Sequence, residues 1–233
     1  MAQLVVALDV PTAGHAERLV DELYSLDVIF KVGLEALYGY GDRIFAYMEA
    51  RDVRHFIDAK LHDIPRTAGA AARQLVRQGT HIINVHAIGG NDMMRAVVDA
   101  AAERAGDLGM TPPHVFAVTV LTSIGSEDLN ELGFHGGLGE TAMRLAALAR
   151  DAGCDGAICS AHEVRDLKRY FGEDFLTLTP GIRPAGSAHG DQKRVTTPSE
   201  AAHAGSDYIV VGRPITEAGD PLEAAKAILE EIR

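Results

Sequence analysis

The chain has 233 residues, of which 47% are hydrophobic and 24% charged, and this composition is typical of one globular domain with a sizeable core. Its net charge of -11 argues against nucleic acid or an anionic membrane as the main partner, but it permits an anionic small molecule. Cys154 and Cys159 are too few for a disulfide framework. Neither a leader peptide nor an apolar run of about 18 residues is evident. We expect one cytoplasmic domain over residues 1–233.

Short apolar segments alternate with segments of helical periodicity along the chain. The predicted strands are residues 4–9, 28–34, 56–61, 81–87, 114–121, 156–160, 175–179 and 208–212. The first predicted helix opens at Pro11 and Thr12. The later predicted helices cover residues 38–49, 65–78, 92–105, 126–132 (a short extra helix), 141–151, 162–170, 198–204 and 221–232. Gly79 and Gly205 are predicted to end two of these helices.

This alternation predicts a parallel sheet, and eight such units predict an α/β protein of the (β/α)8 TIM barrel type. A doubly wound open sheet is the alternative architecture. The sequence has no G-x-G-x-x-G after its first strand, which makes a dinucleotide-binding fold of that kind less favoured.

The third strand carries an unusual set of charges. Because side chains alternate along a strand, Asp58 and Lys60 share one face, and Asp63 follows just beyond the strand. A lysine inside a sheet needs a nearby carboxylate, and Asp58 supplies one. The alternative interpretation is a surface strand with a local ion pair, in which Asp63 is a helix N-cap followed by Pro65.

In a TIM barrel the active site lies at the carboxyl ends of the strands. The side chains that this sequence places there are Asp9, Lys31, Asp58, Lys60, Asp63, His86, Thr122, Ser123, Arg183 and Arg213. Strands seven and eight often hold a phosphate, and here each is followed by glycine and arginine, at Gly181 and Arg183 and at Gly212 and Arg213. Turn geometry and surface ion pairs could explain each residue singly. Both pairs together favour a phosphate ester as the ligand.

The charged side chains suggest the kind of chemistry. Acids alternate with lysines, unlike the carboxylate-rich set that Mg²⁺ prefers, so no metal site is predicted. No serine or cysteine lies in a recognisable nucleophile turn. Close anions keep a lysine protonated, whereas an imine-forming lysine must lose its proton. With Asp58 and Asp63 nearby, Lys60 is interpreted as a charged proton donor.

These motifs resemble those of the orotidine 5′-phosphate decarboxylase family over essentially the whole chain. The resemblance rests on Asp58-x-Lys60-x-x-Asp63, on Asp9 and Lys31 before it, and on the Leu-Thr-Ser, Thr-Pro-Gly-Ile-Arg-Pro, Gly-Asp-Gln and Val-Gly-Arg-Pro-Ile segments after it. It implies a cofactor-free lyase that converts orotidine 5′-phosphate to UMP and carbon dioxide, the last step of de novo pyrimidine synthesis.

The resemblance also implies roles for single residues. Lys60 would protonate C6 of the pyrimidine, and Lys31, Asp58 and Asp63 would complete a charged array with it. The residues implied to bind substrate are Asp9, Lys31, Thr67, Thr122, Ser123, Pro180, Arg183, Gln192, Gly212 and Arg213. Asp63 and Thr67 would reach the site of a neighbouring subunit, so a homodimer is implied. The loop over residues 185–192 would close over the phosphate.

Three other functions stay open from the sequence. The first is a Mg²⁺-dependent sugar-phosphate lyase or aldolase of the same superfamily, similar to hexulose-phosphate synthase. The second is another phosphate-binding barrel, such as an isomerase of histidine or tryptophan synthesis, which would leave the Asp58, Lys60 and Asp63 set unexplained. The third is a phosphometabolite-binding barrel without catalytic activity.

Overall fold

The computed structural model describes residues 2–184 and 194–233. The strands are β1 (Gln3–Ala7), β2 (Ile29–Val32), β3 (His55–Leu61), β4 (Thr80–His86), β5 (His114–Val118), β6 (Gly156–Ile158), β7 (Leu176–Thr179) and β8 (Tyr208–Val211). The helices are α1 (Ala13–Leu23), α2 (Leu34–Glu49), α3 (Pro65–Leu75), α4 (Asn91–Asp107), α5 (Ser126–Glu131), α6 (Leu138–Asp151), α7 (Ala161–Phe171), α8 (Pro198–Ala204), α9 (Arg213–Thr216) and α10 (Pro221–Glu231).

The eight strands form one closed parallel barrel in sequence order. β1 pairs with β2 on one side and with β8 on the other, so that Val5 lies opposite both Ile29 and Val210. The predicted (β/α)8 barrel is therefore confirmed. No helix in the described part of the chain is both long enough and apolar enough to cross a membrane.

Alternation along the strands divides the apolar core into two layers. Side chains that point inward fill the barrel: Val5, Ala7, Ile29, Phe56, Ile82, Phe116, Val118, Ile158, Leu178, Tyr208 and Val210. Side chains that point outward, such as Leu4, Val6 and Ile57, pack beneath the surrounding helices. The interior cluster fills the amino-terminal end of the barrel and leaves the carboxyl end to polar groups.

Two aspartates fasten neighbouring strands at the amino-terminal end of the barrel. Asp155, just before β6, accepts a hydrogen bond of 2.7 Å from the backbone N–H of Val115 on β5. Asp207, just before β8, accepts one of 2.7 Å from the backbone N–H of Thr177 on β7. The buried Lys168 ammonium lies 2.7 Å from Asp207 and balances its charge. This end of the barrel is thus built for stability.

Several predicted boundaries were wrong by a few residues. α3 ends at Leu75 and Val76 is already extended, so Gly79 lies in the turn before β4 and does not cap the helix. Gly205 does cap α8, in the left-handed conformation. β5 is shorter than predicted because its ladder with β6 stops at the pair formed by Val118 and Ile158.

Helices differ from the prediction at two other places. α2 begins at Leu34, directly after β2, and is kinked at Tyr40, whose φ of -159° is not helical. The short helix α9 after β8 was not predicted, because Pro214 follows Arg213 within a segment that reads as a turn. Both differences lie at the carboxyl end of the barrel, beside the cavity described next.

Candidate active site

A cavity of about 740 Å³ opens at the carboxyl end of the barrel. Its walls come from β1, β2, β3, β5, β6, β7 and β8, or from residues that directly follow these strands. Its floor is apolar and consists of interior side chains that include Phe56, Val118, Ile158, Leu178 and Val210. Polar and charged groups stand above this floor, so the cavity offers an apolar base and a charged rim to a ligand.

On one side of the cavity, two lysines and two aspartates form a continuous ion-pair chain. The Lys31 Nζ atom lies 3.0 Å from Asp9 Oδ2 and 3.1 Å from Asp58 Oδ2. The other carboxylate oxygen of Asp58 accepts a hydrogen bond of 2.6 Å from Lys60 Nζ. The order Asp9, Lys31, Asp58, Lys60 therefore alternates in charge across β1, β2 and β3.

The ion pairs outweigh the cost of burial. Burial alone would raise the pKa of Asp58, but the ammonium groups of Lys31 and Lys60 lower this pKa to about 2. Burial alone would lower the pKa of Lys31, yet Asp58 and Asp9 raise it above its ordinary value. Both groups are thus charged at neutral pH in a site that is largely closed to water.

Gly33 is part of this arrangement because it leaves room for the charged groups. A Cβ atom at position 33 would lie 2.7 Å from Lys31 Nζ and still closer to Asp9 Oδ1. Any side chain there would displace the ion pair between Asp9 and Lys31. A glycine two residues after Lys31 is therefore a requirement of the site.

The residues after β7 and β8 line the same cavity. Pro180, Gly181 and Arg183 follow β7, and Gly212 and Arg213 follow β8. Arg183 is buried, and its Nη1 donates a hydrogen bond of 3.0 Å to the carbonyl oxygen of Ile182. The two predicted glycine–arginine pairs therefore follow neighbouring strands and line the same cavity as the lysine–carboxylate chain.

The segment after β5 brings two further predicted residues to the cavity. Thr122 is buried and Ser123 is exposed, and both line the wall between the charged array and the arginines. Each can exchange hydrogen bonds with a polar ring edge.

Two predicted residues lie outside the cavity of the single chain. Asp63 is exposed, and its Oδ1 accepts a hydrogen bond of 2.7 Å from the backbone N–H of Ile64. The N-cap of α3 is Ile64, so the alternative interpretation of Asp63 as the cap was wrong. Thr67 is exposed on the first turn of α3. Gln192 and the loop over residues 185–192 lie outside the described residues.

Two residues that support the charged array were not predicted. Asn84 on β4 contacts both Asp58 and the backbone of Lys60. The hydroxyl group of Tyr40 donates to the carbonyl oxygen of Val10, next to Asp9. Asn84 could have been noticed as an inward-facing polar residue in the middle of a strand, whereas the Tyr40 contact depends on the kink in α2 and has no sequence signal.

His86 lies two residues beyond Asn84 on β4. Burial lowers the pKa of His86 to about 4, so its ring is neutral at pH 7. Its ring centroid lies 5.4 Å from that of His62, the histidine between Lys60 and Asp63. Across residues 2–184 and 194–233, no three His, Cys, Asp or Glu side chains cluster as a metal site would require.

A (β/α)8 barrel in which a lysine–carboxylate array and two arginines line one cavity is typical of an enzyme that acts on a phosphorylated small molecule. The sequence model of the orotidine 5′-phosphate decarboxylase / HUMPS family matches residues 2–228. The chain belongs to this family.

Relatives and solved structures agree with this assignment. The chain is 47% identical over 231 residues to the orotidine 5′-phosphate decarboxylase of Moorella thermoacetica, covering 99% of this chain and 92% of that protein. It is 43% identical over 231 residues to the enzyme of the same name from Nostoc sp., covering 99% and 97%. The crystal structure of orotidine 5′-phosphate decarboxylase from Lactobacillus acidophilus superposes with a TM-score of 0.88 at 37% identity and covers 100% of both chains.

Proposed function

We propose that Lys60 is the proton donor in the decarboxylation of orotidine 5′-phosphate to UMP and carbon dioxide. This decarboxylation is the activity of the chain, a carboxy-lyase of its family, and it is the last step of UMP biosynthesis. The observation that carries the role of Lys60 is its Nζ atom at the cavity wall, 2.6 Å from Asp58 in a preassembled array with Lys31.

The proposed reaction needs groups of the chain, the substrate and one proton from the solvent. The bond between C6 of the pyrimidine and its carboxylate breaks, carbon dioxide leaves, and the electron pair stays on C6. Lys60 Nζ then gives a proton to C6, and water restores the proton of the neutral amine. A fixed ammonium group next to the developing carbanion stabilises charge without having to reorganise.

Asp58 is proposed to stand near the carboxylate that leaves. It is held by Lys31 and Lys60 and cannot turn away, so two negative groups would be forced together in the substrate complex. The loss of carbon dioxide relieves this repulsion. Binding energy from the distant phosphate would hold the substrate in place against it.

The remaining predicted residues are proposed to bind parts of the substrate. Arg183, Gly212 and Arg213, together with Gln192, would bind the phosphate, because arginine guanidinium groups fork onto phosphate oxygens. Asp9 and Lys31 would bind the ribose hydroxyl groups. The residues assigned to the pyrimidine are Thr122, Ser123 and Pro180. In this proposal the phosphate would lie at the ends of β7 and β8 and the pyrimidine next to Lys60 on β3.

We propose that the active enzyme is a homodimer in which Asp63 and Thr67 complete the site of the partner subunit. Support comes from exposed apolar side chains at the same end of the barrel, which a monomer would leave in water. Tyr38 is 89% exposed and Ile64 is 67% exposed, both at the carboxyl end of the barrel. We place the enzyme in the cytoplasm, with a small-molecule substrate and without a nucleic-acid or membrane partner.

The proton-donor role is tested by following the ultraviolet absorbance of orotidine 5′-phosphate with wild type and with Lys60→Ala. Loss of the orotate chromophore with wild type and its absence with Lys60→Ala are the expected results. Lys226→Ala, which removes an exposed lysine paired with Glu223 on α10, is the matched control and should retain full activity. Activity of Lys60→Ala close to wild type would overturn the proposal.

The Mg²⁺-dependent sugar-phosphate lyase is distinguished in the same assay. Turnover of orotidine 5′-phosphate should be the same with and without EDTA. Inhibition by EDTA that Mg²⁺ reverses would instead support the metal-dependent alternative.

A further inference from the structure

A bulge in β3 carries the central residues of the charged array. Ile57 pairs with Ile83 of β4, and Leu61 pairs with Val85. From the first pair to the second, β3 advances by four residues and β4 by only two. Two extra residues are therefore inserted in the β3 segment that contains Asp58 and Lys60. Asn84 is the single residue of β4 between the two pairs.

The side chain of Asn84 fills the gap that the bulge leaves. Its Oδ1 accepts a hydrogen bond of 2.8 Å from the backbone N–H of Lys60. Its Nδ2 donates one of 2.7 Å to Oδ1 of Asp58. A backbone N–H can only donate and an ionised carboxylate can only accept, so the two contacts together fix which way the amide points. Asn84 has 0% of its surface exposed and cannot exchange these contacts for water.

The backbone of Lys60 needs such support. Its φ of +48° is in the left-handed region, which residues other than glycine rarely adopt. Among the described residues, Asp52 is the other non-glycine residue with positive φ, and it lies in the turn before β3, at the opposite end of the barrel. Unusual backbone conformations persist where surrounding contacts enforce them, and they cluster at active sites.

The contacts of Asn84 link the backbone of Lys60 to the carboxylate of Asp58. Lys60 Nζ and Asn84 Nδ2 donate to the same oxygen of Asp58, so a shift of the amide moves both partners. The other charged groups around Asp58 are Lys31 on β2 and, through it, Asp9 on β1. His86 lies further along β4, and Phe116, the β5 residue opposite Asn84, is apolar.

We propose that Asn84 is a positioning residue for decarboxylation, which holds the bulged backbone of Lys60 and the carboxylate of Asp58 in the relative geometry that the reaction requires. It acts through these two residues and does not touch the substrate. The inference rests on the proposed role of Lys60 as proton donor.

The first test is Asn84→Leu, which keeps the number and branching of the side-chain heavy atoms and removes both hydrogen bonds. We expect kcat to fall about 100-fold, as displacements of about 1 Å in an active site do. KM and the dissociation constant for UMP should change less than about threefold, because the proposed phosphate site lies on β7 and β8. Ile82→Val, an apolar change on the same inward face of β4, is the matched control and should leave kcat near the wild-type value.

The second test is Asn84→Asp, which introduces a carboxyl group that is nearly isosteric with the amide and becomes charged as pH rises. When protonated, the introduced carboxyl accepts from the Lys60 N–H and donates to Asp58, as the amide does. When ionised, it lies next to the Asp58 carboxylate and repels it. Activity should therefore approach that of wild type at low pH and fall as the introduced carboxyl ionises, which gives the kcat profile a descending limb that the amide of wild type cannot produce.

The outcomes separate the inference from the proposed function. Wild-type kcat for Asn84→Leu, or a parallel loss of kcat and UMP affinity, would overturn the positioning role while an inactive Lys60→Ala upholds the proton donor. An active Lys60→Ala would overturn the proposed function itself. If Asn84→Leu does not fold, as judged by thermal unfolding, Asn84→Asp decides: a pH-independent loss of kcat would overturn the inference.

Discussion

Tyr40 and Val10 join the kink of α2 to the loop that carries Asp9. The phenolic hydroxyl of Tyr40 donates a hydrogen bond of 2.6 Å to the carbonyl oxygen of Val10, and the carbonyl oxygen of Leu8 lies 3.4 Å from the same hydroxyl. Asp9 lies between Leu8 and Val10 in the chain, so these contacts hold its backbone in place. Burial raises the pKa of Tyr40 to about 12, so the hydroxyl keeps its proton throughout the working pH range of the enzyme.

Tyr40→Phe should weaken substrate binding through Asp9. Loss of one such hydrogen bond is worth about 1 kcal/mol, so kcat/KM should fall about fivefold, mostly through KM. Tyr47→Phe is the control, since it removes an exposed phenol that bonds to Asp21 on the outer surface. Equal kinetics for both variants would contradict a role of Tyr40 in positioning Asp9.

Gly33→Ala should inactivate the enzyme without unfolding it. The new Cβ would overlap the ion pair between Lys31 and Asp9, so the charged array must shift, and we expect kcat/KM to fall by about 100-fold. Gly39→Ala is the control, because an added Cβ there meets nothing within 4 Å in the same helix α2. The measurement is steady-state kinetics together with the thermal unfolding midpoint, and an active Gly33→Ala would show that the array tolerates displacement.

The ionisation of Asp58 should contribute to stability at neutral pH. The ammonium groups of Lys31 and Lys60, working against burial, lower the pKa of Asp58 from an ordinary value of 3.8 to about 2. A depressed folded-state pKa stabilises the fold above the unfolded value, and this stabilisation, about 2 kcal/mol, is lost as pH falls from about 4 to 2.

The check is urea unfolding of wild type and Asp58→Asn between pH 5 and 2. The free-energy difference between them should shrink as pH falls through this window, because wild type loses a contribution that the variant never had. Asp42→Asn, on the exposed side of α2, serves as the control. Parallel pH dependences for wild type and Asp58→Asn would contradict the prediction.

A second buried ion pair, between Arg194 and Glu163, should contribute to stability. Glu163 also accepts a hydrogen bond of 2.7 Å from the backbone N–H of Ser160, and Arg194 donates one of 3.1 Å to the carbonyl oxygen of Val120, just before Thr122. Arg194→Met leaves the Glu163 carboxylate buried and unpaired, which should cost about 3 kcal/mol of unfolding free energy.

A double-mutant cycle tests this pair. Glu163→Gln combined with Arg194→Met should be more stable than Arg194→Met alone, because no charge is then left buried. Arg165→Met, an exposed position on α7, is the control for loss of an arginine. Strict additivity of the two single changes would show that the ion pair is not coupled.

The sequence was sufficient to predict the barrel because strand and helix periods differ along the chain and repeat eight times. It also placed Asp9, Lys31, Asp58 and Lys60 at one end, since parallel strands in a barrel bring their carboxyl ends together. The arginines after β7 and β8 followed from the same rule. These conclusions depend only on alternation and order along the chain.

Other features depend on geometry that a linear pattern does not contain. The role of Asn84 arises from a two-residue bulge in the neighbouring strand, and a register shift between strands leaves no trace in either strand alone. The contact of Tyr40 arises from a local break in α2. The proposed roles of Asp63 and Thr67 need a second subunit, so they remain predictions.

The charged array occupies β1 to β3, whereas the two arginines follow β7 and β8, a separate pair of strands that adjoins β1 in the closed barrel. A bound nucleotide would therefore have its reacting ring against one set of strands and its phosphate against another. Substitutions in the first three strands could alter the reaction while the anchorage of phosphorylated ligands stayed intact. Such a separation leaves room for new chemistry to evolve on an inherited means of substrate capture.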